Sequence, residues 1–241
     1  MSRSKSTLSS PPMPSPQAPT CSAGRILAAA QQLFAELGYD AVSTSAIAEQ
    51  AGVSKANIFH HFSSKKALYL AVLTAGCKKS TPLLDDMIQE SGSLSERLCH
   101  FIRAHIDNLH KYDEVSRLLL RELLENEPQR GQEIAEQVLG ENFSRLVGIL
   151  RDSQRCGELR RNVDPAMVAM LLVGANVFFF QSREVLRHFP DIRFADDLAA
   201  YSRRLTEILV NGVAMPALKL KTNTPDTHST NKGATRKKVG V

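Results

Sequence analysis

The chain reads TSAIAEQAGVSKANIFHHFS at residues 44–63, a segment with two short helical patterns on either side of Gly52. Glycine is the residue type that a tight turn favours where its backbone must be left-handed. Apolar side chains of both patterns predict one shared inward face, made of Ile47, Ala48, Val53, Ile58 and Phe62. This spacing is typical of a helix-turn-helix, whose second helix can enter the major groove of DNA.

The second helical pattern leaves polar and aromatic side chains on its outer face. Lysine can donate to guanine and asparagine can form two hydrogen bonds with adenine, so Lys55 and Asn57 suit base recognition. Ala56 allows a close approach of the backbone, and Thr44 and Ser45 suit contacts with phosphate. The candidates on the outer face are Lys55, Ala56, Asn57, Phe59, His60 and His61.

Two lysines stand at the start of the next helical pattern. Lys65 and Lys66 follow Ser64, a residue type that caps helix N-termini. Positive side chains at a helix N-terminus oppose the helix dipole by about 0.3–1 kcal/mol each, so the pair predicts a phosphate at this position. Two solvated lysines without a function are the alternative interpretation.

Helical periodicity continues on both sides of this segment. An amphipathic pattern runs from Ile26 to Gly38, Thr44 is the predicted cap of the next helix, and a linker helix is predicted over 65–78. Further helices are predicted over 94–111, 113–125, 131–157, 164–188 and 195–212. No convincing strand pattern occurs, so the fold class is all-α: a three-helix helix-turn-helix domain with its linker helix (23–80), then a larger helical body (81–217).

Charge and composition set the ends apart from the middle. Residues 1–22 are rich in Ser and Pro and predict a disordered arm, and residues 218–241 predict a disordered basic tail. Residues 23–80 carry a net charge of +3, whereas residues 81–217 carry −5. A basic N-terminal domain on an acidic body favours a polyanion partner at one end only.

The compartment is expected to be the cytoplasm. The N-terminus has no apolar stretch of signal-peptide length, so export is not expected. The longest apolar run, residues 166–180, is interrupted by Asn176, so no membrane span is expected. The cysteines have no C-x-x-C spacing and predict free thiols: Cys21, Cys77, Cys99 and Cys156.

Residues 25–73 resemble the N-terminal domain of the TetR family of transcriptional regulators (TetR/AcrR type). The resemblance rests on ILAAAQQLFAELGY, STSAIAEQAGVSK and FHHFSSKKAL. It implies a DNA-binding head, a linking helix, and an all-helical body that dimerises and binds an effector. The positions that match the family's DNA contacts are Thr44, Ser45, Lys55, Ala56, Asn57, Phe59, His60, His61 and Lys65.

The resemblance also assigns roles to these positions. It implies that Lys55, Ala56 and Asn57 face bases, and that Thr44 and Lys65 face phosphates, as does His60. The family usually has Tyr where this chain has Phe59, so the hydroxyl that would bond a phosphate is missing. The implied function is a homodimeric repressor that a small lipophilic effector releases from a palindromic operator on double-stranded DNA.

The body offers candidates for the effector pocket and the dimer interface. A pocket between helices is expected to be lined by apolar groups with few polar ones, namely Phe101, His105, Leu119, Leu123, Phe143, Val147, Asn176 and Phe179. The last two helical patterns suit a four-helix interface through Val173, Val177, Phe180, Tyr201, Leu205 and Ile208. Core packing within one subunit is the alternative for both sets.

Enzymatic and metal-binding functions are not expected. The spacing of His100, His105 and His110 rotates each about 140° from the last along a helix, so they share no face. No nucleophile elbow, P-loop or dinucleotide fingerprint occurs, and no cofactor is expected. A ligand-independent DNA-binding protein and a helical protein-interaction module remain as alternatives.

Overall fold

The computed structural model describes residues 21–125 and 128–212, and within them every regular element is helical. The predicted all-α class is therefore confirmed. The helices are α1 (Ser22–Leu37), α2 (Thr44–Ala51), α3 (Lys55–His61), α4 (Lys65–Cys77), α5 (Thr81–Gln89), α6 (Leu94–Lys111), α7 (Asp113–Glu125), α8 (Pro128–Ile134), α9 (Gly140–Arg155), α10 (Pro165–Leu186) and α11 (Leu198–Asn211).

The turn between α2 and α3 has the geometry that the sequence predicts. Gly52 adopts φ 64° and ψ 40°, the left-handed conformation that favours glycine. Its N–H donates to the carbonyl of Glu49, and the N–H of Val53 donates to the carbonyl of Ala48. These two bonds form the Schellman motif that ends a helix. Ser54 then caps α3, because its Oγ accepts from the N–H of Asn57 at 3.1 Å.

Two predicted boundaries in the head are wrong by short distances. Ser22 already belongs to α1, so the predicted arm does not extend to residue 22. The cap of α2 is Ser43 and not Thr44, since Ser43 is extended and its Oγ accepts from the N–H of Ala46 at 3.0 Å. The rest of the arm, residues 1–20, and the basic tail lie outside the described residues.

The linker helix α4 packs against both the head and the body. Its Leu68, Val72 and Leu73 are buried in one cluster with Ile26 and Phe34 of α1. Val115 and Leu118 of α7 belong to the same cluster. At Gly76 the helices α4 and α7 come so close that a Cβ would lie 2.5 Å from a methyl carbon of Val115. The head and the first part of the body therefore share one core.

A buried carboxylate strengthens this junction. The O–H of Tyr69 on α4 donates to Oε1 of Glu122 on α7 at 2.5 Å, and Nη1 of Arg130 on α8 lies 3.3 Å from Oε2. Glu122 is only 4% exposed, and a buried carboxylate needs such partners. The interaction links three helices at the boundary between head and body.

A second cluster forms the rest of the body from α5, α6, α9, α10 and α11. Helix α6 begins with a capping box, in which Ser93 and Glu96 bond each other's backbone N–H. Helix α5 is absent from the sequence-based prediction. Its nine residues bury only Leu84 and Met87, too few apolar positions to show a helical period.

The predicted helix over 131–157 is interrupted by a π-helical turn, Ala135–Leu139, between α8 and α9. Gly140 follows it with ordinary helical angles. A Cβ at Gly140 would lie 2.5 Å from the carbonyl oxygen of Ala135. The π-helical register is therefore compatible with glycine at this position and strained for any other residue.

Helix α10 is long and apolar enough to cross a membrane, judged by length and composition alone. A core helix of a soluble protein has the same properties, and one face of α10 packs on α6, α9 and α11. The opposite face leaves large apolar side chains about half exposed or more. We call these residues the α10 stripe: Met167, Met170, Leu171, Phe178 and Val185.

Candidate nucleic-acid interface and ligand cavity

Helix α3 presents most of its predicted contact residues to solvent. Ile58 is fully buried against the head and sets the orientation of the helix. Phe59 is 46% exposed, a large value for an aromatic side chain. The exposed candidates are Ser45, Lys55, Ala56, Phe59, His60 and His61. A short helix held on a packed head, with its outer face open, can lie in a groove of DNA.

Three candidates are partly buried, namely Thr44, Asn57 and Lys65. Asn57 Oδ1 is shielded from solvent and has no hydrogen-bond partner among the described residues, so its acceptor is left unsatisfied. Lys65 Nζ donates to the carbonyl of Asp40 at 3.3 Å and lies 4.3 Å from the centre of the Tyr39 ring. These contacts hold the Lys65 ammonium near the N-terminus of α4.

Two basic side chains near the interface already have protein partners. His61 Nε2 lies 2.7 Å from Ser22 Oγ at the start of α1. Lys66 Nζ forms an ion pair with Glu133 at 2.6 Å. The expectation that Lys65 and Lys66 act together on a phosphate is therefore weaker for Lys66, because its ammonium is already paired with the Glu133 carboxylate of the same chain.

A cavity of about 360 Å³ lies in the body, between α4, α6, α7, α9 and α10. Its wall is largely apolar, and its size is that of a small-molecule site. The linker helix contributes Leu73, Gly76 and Cys77, and the π-helical turn contributes Ala135 and Leu139. One cavity therefore touches both the helix that leads to the head and the irregular turn beside it.

Five predicted pocket residues line this cavity, and three do not. The residues in the wall are Phe101, His105, Leu119, Leu123 and Phe143. Val147, Asn176 and Phe179 are buried in the core and do not line the cavity. Asn176 and Phe179 lie on α10, whose apolar sequence does not reveal which face meets the cavity, whereas Val147 lies on the buried face of α9.

Asn176 instead forms a hydrogen bond with His105 from the protein core. Asn176 Nδ2 donates to Nδ1 of His105 at 3.1 Å and to the carbonyl of Ile102 at 3.3 Å. Its Oδ1 accepts from the O–H of Tyr201 at 3.3 Å. Burial raises the pKa of Tyr201 and lowers the pKa of His105 to about 4. The imidazole in the cavity wall is therefore neutral at pH 7.

The residues predicted for the dimer interface lie in different environments. Val173, Val177 and Phe180 line the cavity, and none of them belongs to the α10 stripe. Tyr201 is only 8% exposed and bonds Asn176, while Ile208 is 51% exposed. Leu205 is partly buried. The sequence shows that α10 is apolar on all sides. Only the exposure of each side chain in the structure distinguishes its buried positions from its exposed ones.

Several wall residues were missed by sequence reasoning. The α4 residues Leu73, Gly76 and Cys77 looked like ordinary positions of an apolar helix. Asn108, on the face of α6 one turn after His105, was missed as well. Gly76 carried a usable signal, since a glycine within a helical pattern often marks a close approach of two helices.

Within 21–125 and 128–212, no group of three or more His, Cys, Asp or Glu side chains could hold a metal ion. The four cysteines are unpaired, and burial raises the pKa of the Cys77 thiol to about 11. A thiol with so high a pKa is a poor nucleophile at neutral pH.

Both parts of the chain match known families. Residues 26–72 match the family of bacterial regulatory proteins, tetR family, and residues 95–213 match the Tetracyclin repressor-like C-terminal domain. Among curated proteins, the fatty acid metabolism regulator protein of Bacillus subtilis is 25% identical over 78% of this chain and 94% of its own length. The HTH-type transcriptional activator FasR of Mycolicibacterium smegmatis is 33% identical over 44% of this chain and 48% of its own length.

Solved structures share the fold. The transcriptional regulator FadR of Bacillus subtilis, solved in complex with stearoyl-CoA, superposes with a TM-score of 0.65 at 23% identity, covering 79% of this chain and 98% of that one. The fatty acid degradation regulator FadR of Bacillus halodurans gives a TM-score of 0.66 at 19% identity, covering 83% and 100%. At these identities the likeness shows the arrangement of the helices.

Proposed function

Because this chain belongs to the TetR family of transcriptional regulators, we propose that it is a cytoplasmic, dimeric repressor of a palindromic operator, released by a lipophilic effector. DNA binding and transcriptional regulation come with the family. The observation that carries the rest is the cavity, because its wall includes the linker helix that leads to the DNA-binding head. A ligand there can alter how the head is held.

The DNA interface is proposed to be the outer face of α3 and the start of α2. Lys55 is exposed at the first turn of α3, where it can donate to a guanine edge. We expect Lys55→Ala to weaken binding to the operator by about 10-fold, in line with about 1–3 kcal/mol for a base contact. The measurement is fluorescence anisotropy with DNA from the region upstream of the gene.

Lys78→Ala is the matched control, because Lys78 is also exposed but lies after α4, away from α3. Equal losses for the two variants would contradict the assignment of α3 as the recognition helix. A purely protein-interacting module would bind no DNA at any salt concentration. A ligand-independent nucleoid-type protein would show little sequence preference and a steep salt dependence.

The α10 stripe supports the proposed homodimer. Phe178 is 65% exposed, and contiguous exposed apolar residues on one helix face indicate a protein contact. A second copy that uses the same face gives a twofold arrangement, which suits a palindromic operator. We expect Phe178→Glu to yield monomers in analytical ultracentrifugation. Phe189→Glu, 52% exposed but outside the stripe, should remain dimeric.

The effector class is proposed from the cavity and from the named relatives. The wall is apolar, and one relative is named a fatty acid metabolism regulator while a solved relative holds stearoyl-CoA. We infer that the effector of this chain carries an acyl chain, with the chain in the cavity. Leu123 and Phe143, partly exposed wall residues, would lie at its mouth.

Filling the cavity tests this inference. Leu119→Trp replaces a leucine of the wall by a much larger indole side chain, which fills part of the cavity. We therefore expect it to abolish binding of S-decanoyl-N-acetylcysteamine in isothermal titration calorimetry. Leu124→Trp is the control, because Leu124 lies on the same helix but is 74% exposed and is not in the wall. Unchanged binding by Leu119→Trp would place the ligand elsewhere.

Activation is the second candidate output, because FasR, a relative, is named a transcriptional activator. A reporter gene behind the upstream region distinguishes the two outputs. Expression should rise on deletion of this gene if the protein represses, and fall if it activates.

A further inference from the structure

The cavity contains no formal charge to meet an ionised ligand. Among the described residues that line it, none is Lys, Arg, Asp or Glu. A carboxylate buried in such a place without a cation carries a large desolvation cost. The chemistry of the wall therefore favours an uncharged group at the polar end of the ligand.

The two asparagines of the wall, Asn108 and Asn142, both form hydrogen bonds within the protein. Asn142 donates from Nδ2 to the carbonyl of Cys77 at 2.8 Å, and its Oδ1 accepts from Thr81 at 3.1 Å. Asn108 donates from Nδ2 to Oγ of Ser80 at 2.9 Å. Each of these two amides therefore has one of its two N–H groups bonded within the protein.

His105 is another polar residue of the wall, and its tautomer follows from its hydrogen bond with Asn176. The bonds of Asn176 to Tyr201 and to the carbonyl of Ile102 fix its amide so that Nδ2 faces His105 Nδ1. An N–H can be accepted only by a ring nitrogen without a proton. The neutral ring therefore carries its proton on Nε2.

Nε2 of His105 has no hydrogen-bond partner among the described residues. It is also not among the unbonded polar atoms of these residues that are shielded from solvent. Since His105 lines the cavity, this N–H is available to a ligand. The ring stacks on Phe101, with 5.5 Å between the ring centres, which holds it in one orientation. An oriented N–H in an apolar wall is suited to a carbonyl oxygen.

We propose that His105 donates from Nε2 to the carbonyl oxygen of an uncharged acyl ester or thioester, and that the cavity thereby selects such compounds over free fatty acids. This inference rests on the proposed function of the cavity as the effector site. No covalent bond is made or broken, because the interaction is a reversible hydrogen bond.

The test compares two ligands with the same ten-carbon chain, S-decanoyl-N-acetylcysteamine and decanoate, at pH 7.5 by isothermal titration calorimetry. We expect the wild-type protein to bind the thioester at least about tenfold more tightly, the effect of one buried hydrogen bond and an avoided buried charge. In His105→Phe, which keeps the aromatic stack, the preference should fall to about threefold or less.

His110→Phe is the matched control, because His110 lies on the same helix but is exposed and does not line the cavity, so the preference should be kept. Equal or tighter binding of decanoate by the wild-type protein overturns the role of His105 while leaving the cavity as the ligand site. Binding of neither compound overturns the proposed effector class together with this inference.

A second measurement does not depend on the variant's folding. In wild-type protein with ¹⁵N-labelled histidine, the His105 ring should show an unprotonated Nδ1 and a protonated Nε2 at pH 7. The Nε2–H resonance should shift when the thioester is added. The opposite tautomer, or no shift on saturation, would overturn the proposal.

Discussion

Thr74 Oγ1 on the linker helix lies 3.1 Å from the backbone carbonyl oxygen of Gln137 in the π-helical turn, where its one O–H is shared between this carbonyl and that of Leu70. The same Oγ1 lies 2.7 Å from the carbonyl of Leu70 on its own helix. The turn forms part of the cavity wall through Ala135 and Leu139. A ligand that displaces the turn therefore acts directly on the helix that holds the head.

Replacing Thr74 by valine removes this contact and keeps the side-chain shape. We expect Thr74→Val to reduce the effect of S-decanoyl-N-acetylcysteamine on operator affinity by about threefold or more, the range for residues that carry coupling between sites. Operator affinity without ligand should change little. The measurement is anisotropy with and without saturating thioester.

Thr206→Val provides the comparison. Thr206 donates from Oγ1 to the carbonyl of Ser202 one turn earlier on its own helix, so its loss should leave the coupling intact. Unaltered coupling in Thr74→Val would show that the turn does not transmit the signal.

Gly140→Ala should destabilise the protein by about 1–3 kcal/mol, because the new Cβ meets the carbonyl oxygen of Ala135 and forces the turn to shift. Gly148→Ala, on the same helix with nothing within 4 Å of its Cβ, should be neutral or stabilising by up to about 1 kcal/mol. Urea unfolding followed by circular dichroism compares the two. Equal stability of both variants would argue against a strained π-helical register.

Stability should fall on acidification through His105. Its folded pKa, about 4, lies below the ordinary value of 6.5, so between these values the unfolded chain binds a proton that the folded chain does not. This one group should remove about 2 kcal/mol of unfolding free energy between pH 7.5 and pH 5. Since carboxylates also titrate, the quantity to measure is the difference between wild type and His105→Gln. A constant difference across this range would contradict the buried, neutral imidazole.

Asn57 and Lys65 should differ in how their loss affects DNA binding. Asn57 Oδ1 is shielded from solvent and has no hydrogen-bond partner among the described residues, so turning the amide to an adenine edge would satisfy it, and Asn57→Ala should relax base preference. Lys65→Ala should weaken binding to all sequences alike and lower the salt slope by about one. A panel of single-base operator variants at two salt concentrations separates these effects. Uniform losses in both variants would contradict the assigned roles.

The sequence predicts the head well because its signals are local. Gly38, Gly52, Ser54 and Ser64 mark the helix boundaries where the structure has them, through turns and caps within a few residues. Ser43 and Thr44 show the limit of such reasoning. Two adjacent residues can both cap a helix, and only the backbone angles decide which one does.

The cavity is harder to predict because its wall comes from distant parts of the chain. Phe101 and His105 were predicted from their helix, whereas Gly76 and Cys77 lie about thirty residues earlier on α4. The all-round apolar character of α10 likewise hides which face is buried. Val177 and Phe178 are neighbours of similar polarity, yet only the former reaches the cavity.

The α10 stripe also implies how promoter occupancy would depend on the concentration of subunits in a cell. A lone subunit would leave Phe178 and its apolar neighbours in water, where proteases and aggregation compete with assembly. At low abundance the amount of the proposed dimer would rise with the square of the subunit concentration. A modest change in synthesis would then produce a disproportionate change in promoter occupancy.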